Sequence, residues 1–114
     1  SSVLSVANAA DDTKGVVELA TTAEALAGSD TDRAVTPAGL AARSYRETIG
    51  DGSATAFNVD HNLGTKDVIV QMYDSSDGST VYAQIVRSTT NRVVATFNTA
   101  PANDDVEILI MKID

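Results

Sequence analysis

The sequence predicts a mainly β protein, a small antiparallel β-sandwich preceded by an Ala-rich connector with a short strand and two short helices. Three observations lead there. From Ser44 onward, short β-prone runs alternate apolar and polar residues between turn-rich breaks, and no helical period persists. Eleven of the first 43 residues are Ala, against six from Ser44 to Asp114, and the later stretch holds both Phe and all three Tyr. A chain of 114 residues has room for one small core with an extension rather than two cores. We therefore assign residues 1–43 to a connector and oligomerisation segment and residues 44–114 to a β-sandwich domain. Alanine buries little surface, so the connector must borrow its shape from neighbours and suits close approach between chains.

Within the connector, Val16, Val17 and Leu19 make a β-prone run. Thr21-x-x-Glu24 then has the spacing of a capping box, in which Thr21 caps a helix and Glu24 reaches back to the cap's own N–H. Gly28 supplies the stop. After a polar link, Thr36-Pro37 starts a second helix, with Pro at the position where a missing N–H costs nothing, and Ala38 to Arg43 follow. Helices shorter than about 12 to 15 residues are marginal alone in water, so both should order only against partners.

The domain reads as six strands: Ser44–Ile49, Ala56–His61, Asp67–Asp74, Val81–Ser88, Arg92–Asn98 and Val106–Ile113. Gly, Asn, Asp and Ser fill the breaks, and Asp77-Gly78 is the strongest hairpin signal. Alternation assigns Phe57, Val59, Val68, Val70, Met72, Val81, Ala83, Ile85, Val93, Ala95, Phe97, Val106, Ile108 and Ile110 to the core. The last strand is apolar on its other face as well, through Leu109, Met111 and Ile113. That stripe needs cover, either from a second layer or the N-terminal segment, or from another subunit. The candidate oligomer interface is accordingly Val17, Leu19, Leu26, Leu40, Leu109, Met111 and Ile113. If successive strands alternate in direction, the turns at Gly50 to Thr55, Ser75 to Thr80 and Thr99 to Asp105 share one end, away from the N-terminal extension. This polar tip is the candidate receptor or partner contact, with Asp51, Ser53, Asp77, Ser79, Asn103 and Asp104 as its residues.

The connector's words, Gly-Val-Val-Glu-Leu-Ala (Gly15 to Ala20), Ala-Glu-Ala-x-Ala-Gly-x-Asp (Ala23 to Asp30) and Arg-Ala-Val-Thr-Pro-x-x-Leu (Arg33 to Leu40), closely resemble the segment that tail-fibre proteins of tailed bacteriophages place between shaft and terminal domain. More loosely, Phe57 to Val70, with its Asp-His-Asn-Leu-Gly-Thr, and Ala100-Pro101 are similar to a small β-domain found at or near the ends of such proteins. The resemblance implies a virion structural protein, usually a homotrimer, located in the tail fibre and contributing to viral attachment to the host. A capsid-decorating or head-fibre protein with a structural role only is the alternative. Implied partners are identical chains, other virion proteins and a host surface glycan or protein.

Bulk chemistry narrows the rest. Acidic residues outnumber basic ones by 16 to 8, giving a net charge of −8 that repels phosphate backbones and anionic membranes, so neither nucleic-acid binding nor membrane insertion is expected. There is no Cys, hence no disulfide or thiolate metal site. No apolar run approaches the roughly 18 residues that span a bilayer, and Ser1 to Ala10 lacks the pattern of a secretion signal. A first residue other than Met points to a cleaved, truncated or partial parent. The single histidine, His61, stands beside Asp60, with Ser53 or Ser88 as imaginable nucleophiles, but adjacent strand residues face opposite ways, and His61 is better read as a strand-end side chain bonding turn backbone. Asp51, Asp74, Asp77, Asp104 and Asp105 could supply oxygen ligands, yet their spacing completes no calcium loop, and turn formation explains them better. No Trp and five aromatic residues in all offer little for a sugar-cleaving groove. We expect no enzyme and no cofactor.

Overall fold

A computed structural model describes residues 17–114, and the chain divides between Ala42 and Arg43 into two compact units. In the first unit, β1 (Glu18–Leu19) pairs in parallel with β2 (Arg33–Ala34), and between and after them stand α1 (Thr22–Ala27) and α2 (Pro37–Ala41). The connector thus holds two short strands rather than the one expected. Val16, the start of the expected β-prone run, lies outside the described residues.

The second unit is a small β-sandwich-like fold of antiparallel sheets. Its strands are β3 (Ser44–Ile49), β4 (Ala56–Asp60), β5 (Val68–Asp74), β6 (Thr80–Val81), β7 (Gln84–Thr89), β8 (Arg92–Thr96) and β9 (Val106–Lys112). A four-stranded sheet runs β3-β9-β5-β6, and a three-stranded sheet runs β4-β8-β7. The run expected as one strand, Val81–Ser88, is two: Tyr82 and Ala83 break it where the chain leaves the first sheet for the second. Apolar parity persists through the break, so alternation alone could not expose it.

Inward-facing residues of both sheets build the core. On β9, Val106, Ile108 and Ile110 are buried, and they stand between Ile49, Glu47 and Tyr45 of β3 on one side and Asp74, Met72 and Val70 of β5 on the other. From the second sheet come Val59 against Val93 and Phe57 against Ala95. Phe57 and Phe97 meet edge to face, with ring centroids 5.9 Å apart, the geometry favoured by the ring quadrupole. Phe57, Val70, Val81, Ala83 and Ile85, also assigned to the core by alternation, are half-buried, and Ile49 and Leu63 join the core unforeseen.

Candidate functional site

The connector is organised by its polar groups. Glu24 N–H donates to Thr21 Oγ1 (3.2 Å) while Thr21 N–H donates to Glu24 Oε1 (2.8 Å), a complete capping box. Gly28 ends α1 in the left-handed region at φ 72°, and Thr36 caps α2 by accepting from Gly39 N–H at 3.1 Å. Arg33 ties the pieces together. Its guanidinium reaches Glu18 of β1 (2.6 Å), Asp30 of the link (2.6 Å) and Glu24 of α1 (3.3 Å). Asp30 also accepts from the N–H groups of Asp32 and Arg33, and these bonds together hold its carboxyl below the usual carboxylate range. The same anions push the Arg33 pKa upward. The sequence offered a signal for this node in the Asp-x-x-Arg spacing of the polar link, which a search for apolar periodicity passes over.

Small residues in the connector have a use within one chain. Gly39 is buried, and a Cβ built on it would lie 3.0 Å from Ala25 Cβ, so α1 and α2 approach through a Gly and an Ala. What is left outside is the bulk: Val17, Leu19, Val35 and Leu40 are exposed, Leu40 by 62%, while Leu26 is half-buried.

A second apolar surface lies on the outer face of the four-stranded sheet. Register sets it in rows across β3, β9 and β5: Arg46, Leu109 and Gln71 in one, Ser44, Met111 and Ile69 in the next. Leu109, Met111 and Ile69 are all exposed, and so is Ile113. The first three floor an open groove of about 550 Å³ whose polar margin is Ser44, Arg46 and Gln71. The row toward the tip is Thr48, Glu107 and Tyr73. Glu107 is buried although it belongs to this outer face, because Thr48 donates its hydroxyl to Oε1 (2.5 Å) and Arg46 covers Oε2 (3.0 Å). These donors, Thr48 first, hold the Glu107 carboxyl below its ordinary pKa.

The three turns expected to share an end are joined by hydrogen bonds. Asp104 N–H donates to Gly50 O (3.0 Å), Gly52 N–H to Pro101 O (2.8 Å), and Ser75 binds Asp105 O through its N–H (2.8 Å) and Asp104 O through its hydroxyl (2.9 Å). Strand β3 enters at the opposite end. Of the candidate contact residues, Asp51, Ser53, Asp77, Ser79, Asn103 and Asp104 are all exposed. The carboxylates of Asp51 and Asp77 are engaged within their own turns. Asp51 accepts from Ala54 and Ser53 N–H (2.7 and 2.9 Å), which lowers its pKa, and Asp77 accepts from Ser79 N–H (2.9 Å). Asp74 serves Ser76 in the same way. Among the described residues, no group of three or more His, Cys, Asp or Glu is placed to hold a metal ion.

Asp60 and His61 do not form a catalytic pair. Asp60 is exposed and binds Arg92 through both oxygens (2.5 and 3.3 Å), whereas His61 turns inward in the row of Phe57 and Val59. Its Nδ1 accepts from Leu63 N–H at 3.0 Å, the turn-backbone bond that its position suggests. Its burial is the unforeseen part: the residue is 4% exposed and Nε2 has no partner. No helix among the described residues is long and apolar enough to cross a membrane. Comparison of the chain with protein-family models, curated proteins and solved structures found no match.

Proposed function

We propose that this chain is a structural component of a bacteriophage virion, part of a tail fibre, in which the connector joins three identical chains and the β-domain contributes to host-surface attachment. The proposal takes its class from the connector wording between Gly15 and Leu40. The observation that carries it is the placement of bulk apolar side chains. Among the described residues, each unit taken by itself leaves them outside, on Val17, Leu19, Val35 and Leu40 in one and on Ile69, Leu109, Met111 and Ile113 in the other. Association of identical chains covers such surfaces, and three equivalent tips on one stem bind through multivalency without a deep pocket.

Engagement of the Asp51 and Asp77 carboxylates by their own turns favours a second reading, a capsid-decorating or head-fibre protein with a structural role only. Two measurements test the pair. Native mass spectrometry of the 114-residue chain should give three copies, and a monomer at micromolar concentration would sink the stem architecture. Gold-labelled antibody on particles, with purified protein tested for blocking adsorption, separates tail from capsid: label on the fibre and blocked adsorption support attachment, and label on the head supports decoration.

A further inference from the structure

His61 lies at the end of the sandwich where β3 enters, and the turn after it is held by a small set of bonds. Leu63 N–H donates to His61 Nδ1 (3.0 Å), Asn62 N–H to Asn91 O (3.2 Å) and Gly64 N–H to Asn91 Oδ1 (2.9 Å). The Thr65 hydroxyl donates to Asp114 Oδ2 (3.0 Å), and Arg43 donates to the Asp114 carbonyl (2.5 Å). Leu63 and Thr65 are buried along with His61. The imidazole therefore sits under the turn as its inner fastening.

The geometry of the ring favours the neutral state. Because Nδ1 is an acceptor, the neutral ring carries its hydrogen on Nε2, which is buried without a partner. A second proton would have to enter at Nδ1, where it would face the Leu63 N–H and set donor against donor. The resulting cation would be enclosed with no acceptor at either nitrogen. Nearby segments compensate only in part, through the charge of Asp60. Asp60 is on the opposite face, paired with Arg92. The inward row of β9 ends in Lys112, 3.9 Å from Asp114, and Arg87 of β7 reaches over to the Val68 carbonyl (2.8 Å). On β3, Tyr45 and Glu47 bond each other, and the turn's own Lys66 and Asp67 are exposed.

We propose that His61 is an acid-sensitive latch: neutral, it holds the Asn62–Lys66 turn closed against Asn91 and Asp114, and protonation releases that turn while the sheets stay folded. Burial lowers the His61 pKa from its ordinary 6.5, and the Asp60 charge opposes this only in part. Opening exposes the ring to water, where it regains its ordinary proton affinity, so the open form binds more protons and gains population as pH falls through 6.5. The open population should rise between about pH 7.5 and 5.5, with about tenfold as the upper limit, reached when the closed ring takes up no proton in that range.

Nuclear magnetic resonance of the intact chain tests this through the imidazole titration and through amide exchange at Leu63, corrected for intrinsic rates. The expected result is an Nε2–H tautomer that titrates below 6.5 and a Leu63 opening constant that rises over that range, by up to about tenfold, while Ile108 stays protected. His61→Asn keeps an acceptor for Leu63 N–H in an Asx-type turn and removes the titration, so its Leu63 opening should not respond to pH. An imidazole titrating at or above 6.5, an equal acid response in His61→Asn, or parallel loss of protection at Ile108 would each overturn the latch. Should His61→Asn fail to fold, the titration and the Leu63 to Ile108 contrast in the unaltered chain decide the matter.

Discussion

The connector and the β-domain hold their shapes by opposite means. In the connector, α1 has no buried residue and α2 buries only Gly39, so its order rests on two capped helix starts, a two-residue parallel bridge and the Arg33 node. The domain instead encloses Ile108, Ile110, Val59 and Val93 almost completely between two sheets. Capping and exposed ion pairs are local and weak, whereas burial is collective. Among the described residues, the first unit thus buries almost nothing within its helices, and the second carries its own stabilising core.

Substitutions can break this contrast, beginning with the largest effect. Ile110→Ala should destabilise the domain by about 2 to 5 kcal/mol in chemical denaturation, the cost of a cavity in a closed core. Leu40→Ala should leave the melting temperature of that domain unchanged while lowering the copy number in solution. Equal losses of domain stability from both would erase the distinction.

Gly50→Ala should cost on the order of 1 to 3 kcal/mol, because the position needs a backbone that L-residues avoid. Here φ is +118°, and the new Cβ would stand 2.2 Å from the Ala102 carbonyl oxygen. Thermal melting of the variant measures it, and a neutral result would refute the tight join between the tip turns.

Thr21→Ala removes one side of the capping box and should cost about 0.5 to 2 kcal/mol of local stability, read as faster amide exchange in α1 with β9 untouched. Leu109→Ser sharpens the comparison from the other side. It should reduce the oligomeric mass while changing domain stability little, and loss of melting temperature with unchanged mass would assign Leu109 to the fold instead.

The smallest effect is electrostatic. Glu107, on the domain, and Asp30, on the connector, have pKa values lowered from 4.5 and 3.8 by their donors. Each contributes stability in full above its unfolded value, and the contribution disappears as pH falls through the lower folded value. Thr48→Val deletes the principal donor to Glu107, so the fall in melting temperature on acidification should be shallower in that variant.

Much of this was legible in the sequence because the informative signals were local. Thr21, Glu24, Gly28, Thr36 and Pro37 fixed both helices, and turn residues bounded most strands within one or two positions. Three features escaped for different reasons. Parity does not say which sheet a strand belongs to, so the break at Tyr82–Ala83 was hidden. The buried Glu107 depends on Thr48 and Arg46, some sixty positions away, and no local pattern announces such donors. His61 was readable as a backbone-bonding side chain, but its burial follows from the closing of two sheets over the turn. That the tip turns are neighbours follows from alternating strand direction, a matter of topology. Engagement of the Asp51 and Asp77 carboxylates is instead local turn chemistry, independent of which way any strand runs.

Strand β9 lies between β3 and β5, although it follows both in the chain by dozens of residues. A ribosome therefore releases β3 with no mate in its sheet, and β3 must wait until the stretch from Val106 to Lys112 has emerged. Long-range pairing of this kind delays folding and leaves an early unpaired edge open to other nascent chains. Polysomes making several copies side by side would bring those open edges together, and the interval before β9 appears is when wrong pairings compete with the native one.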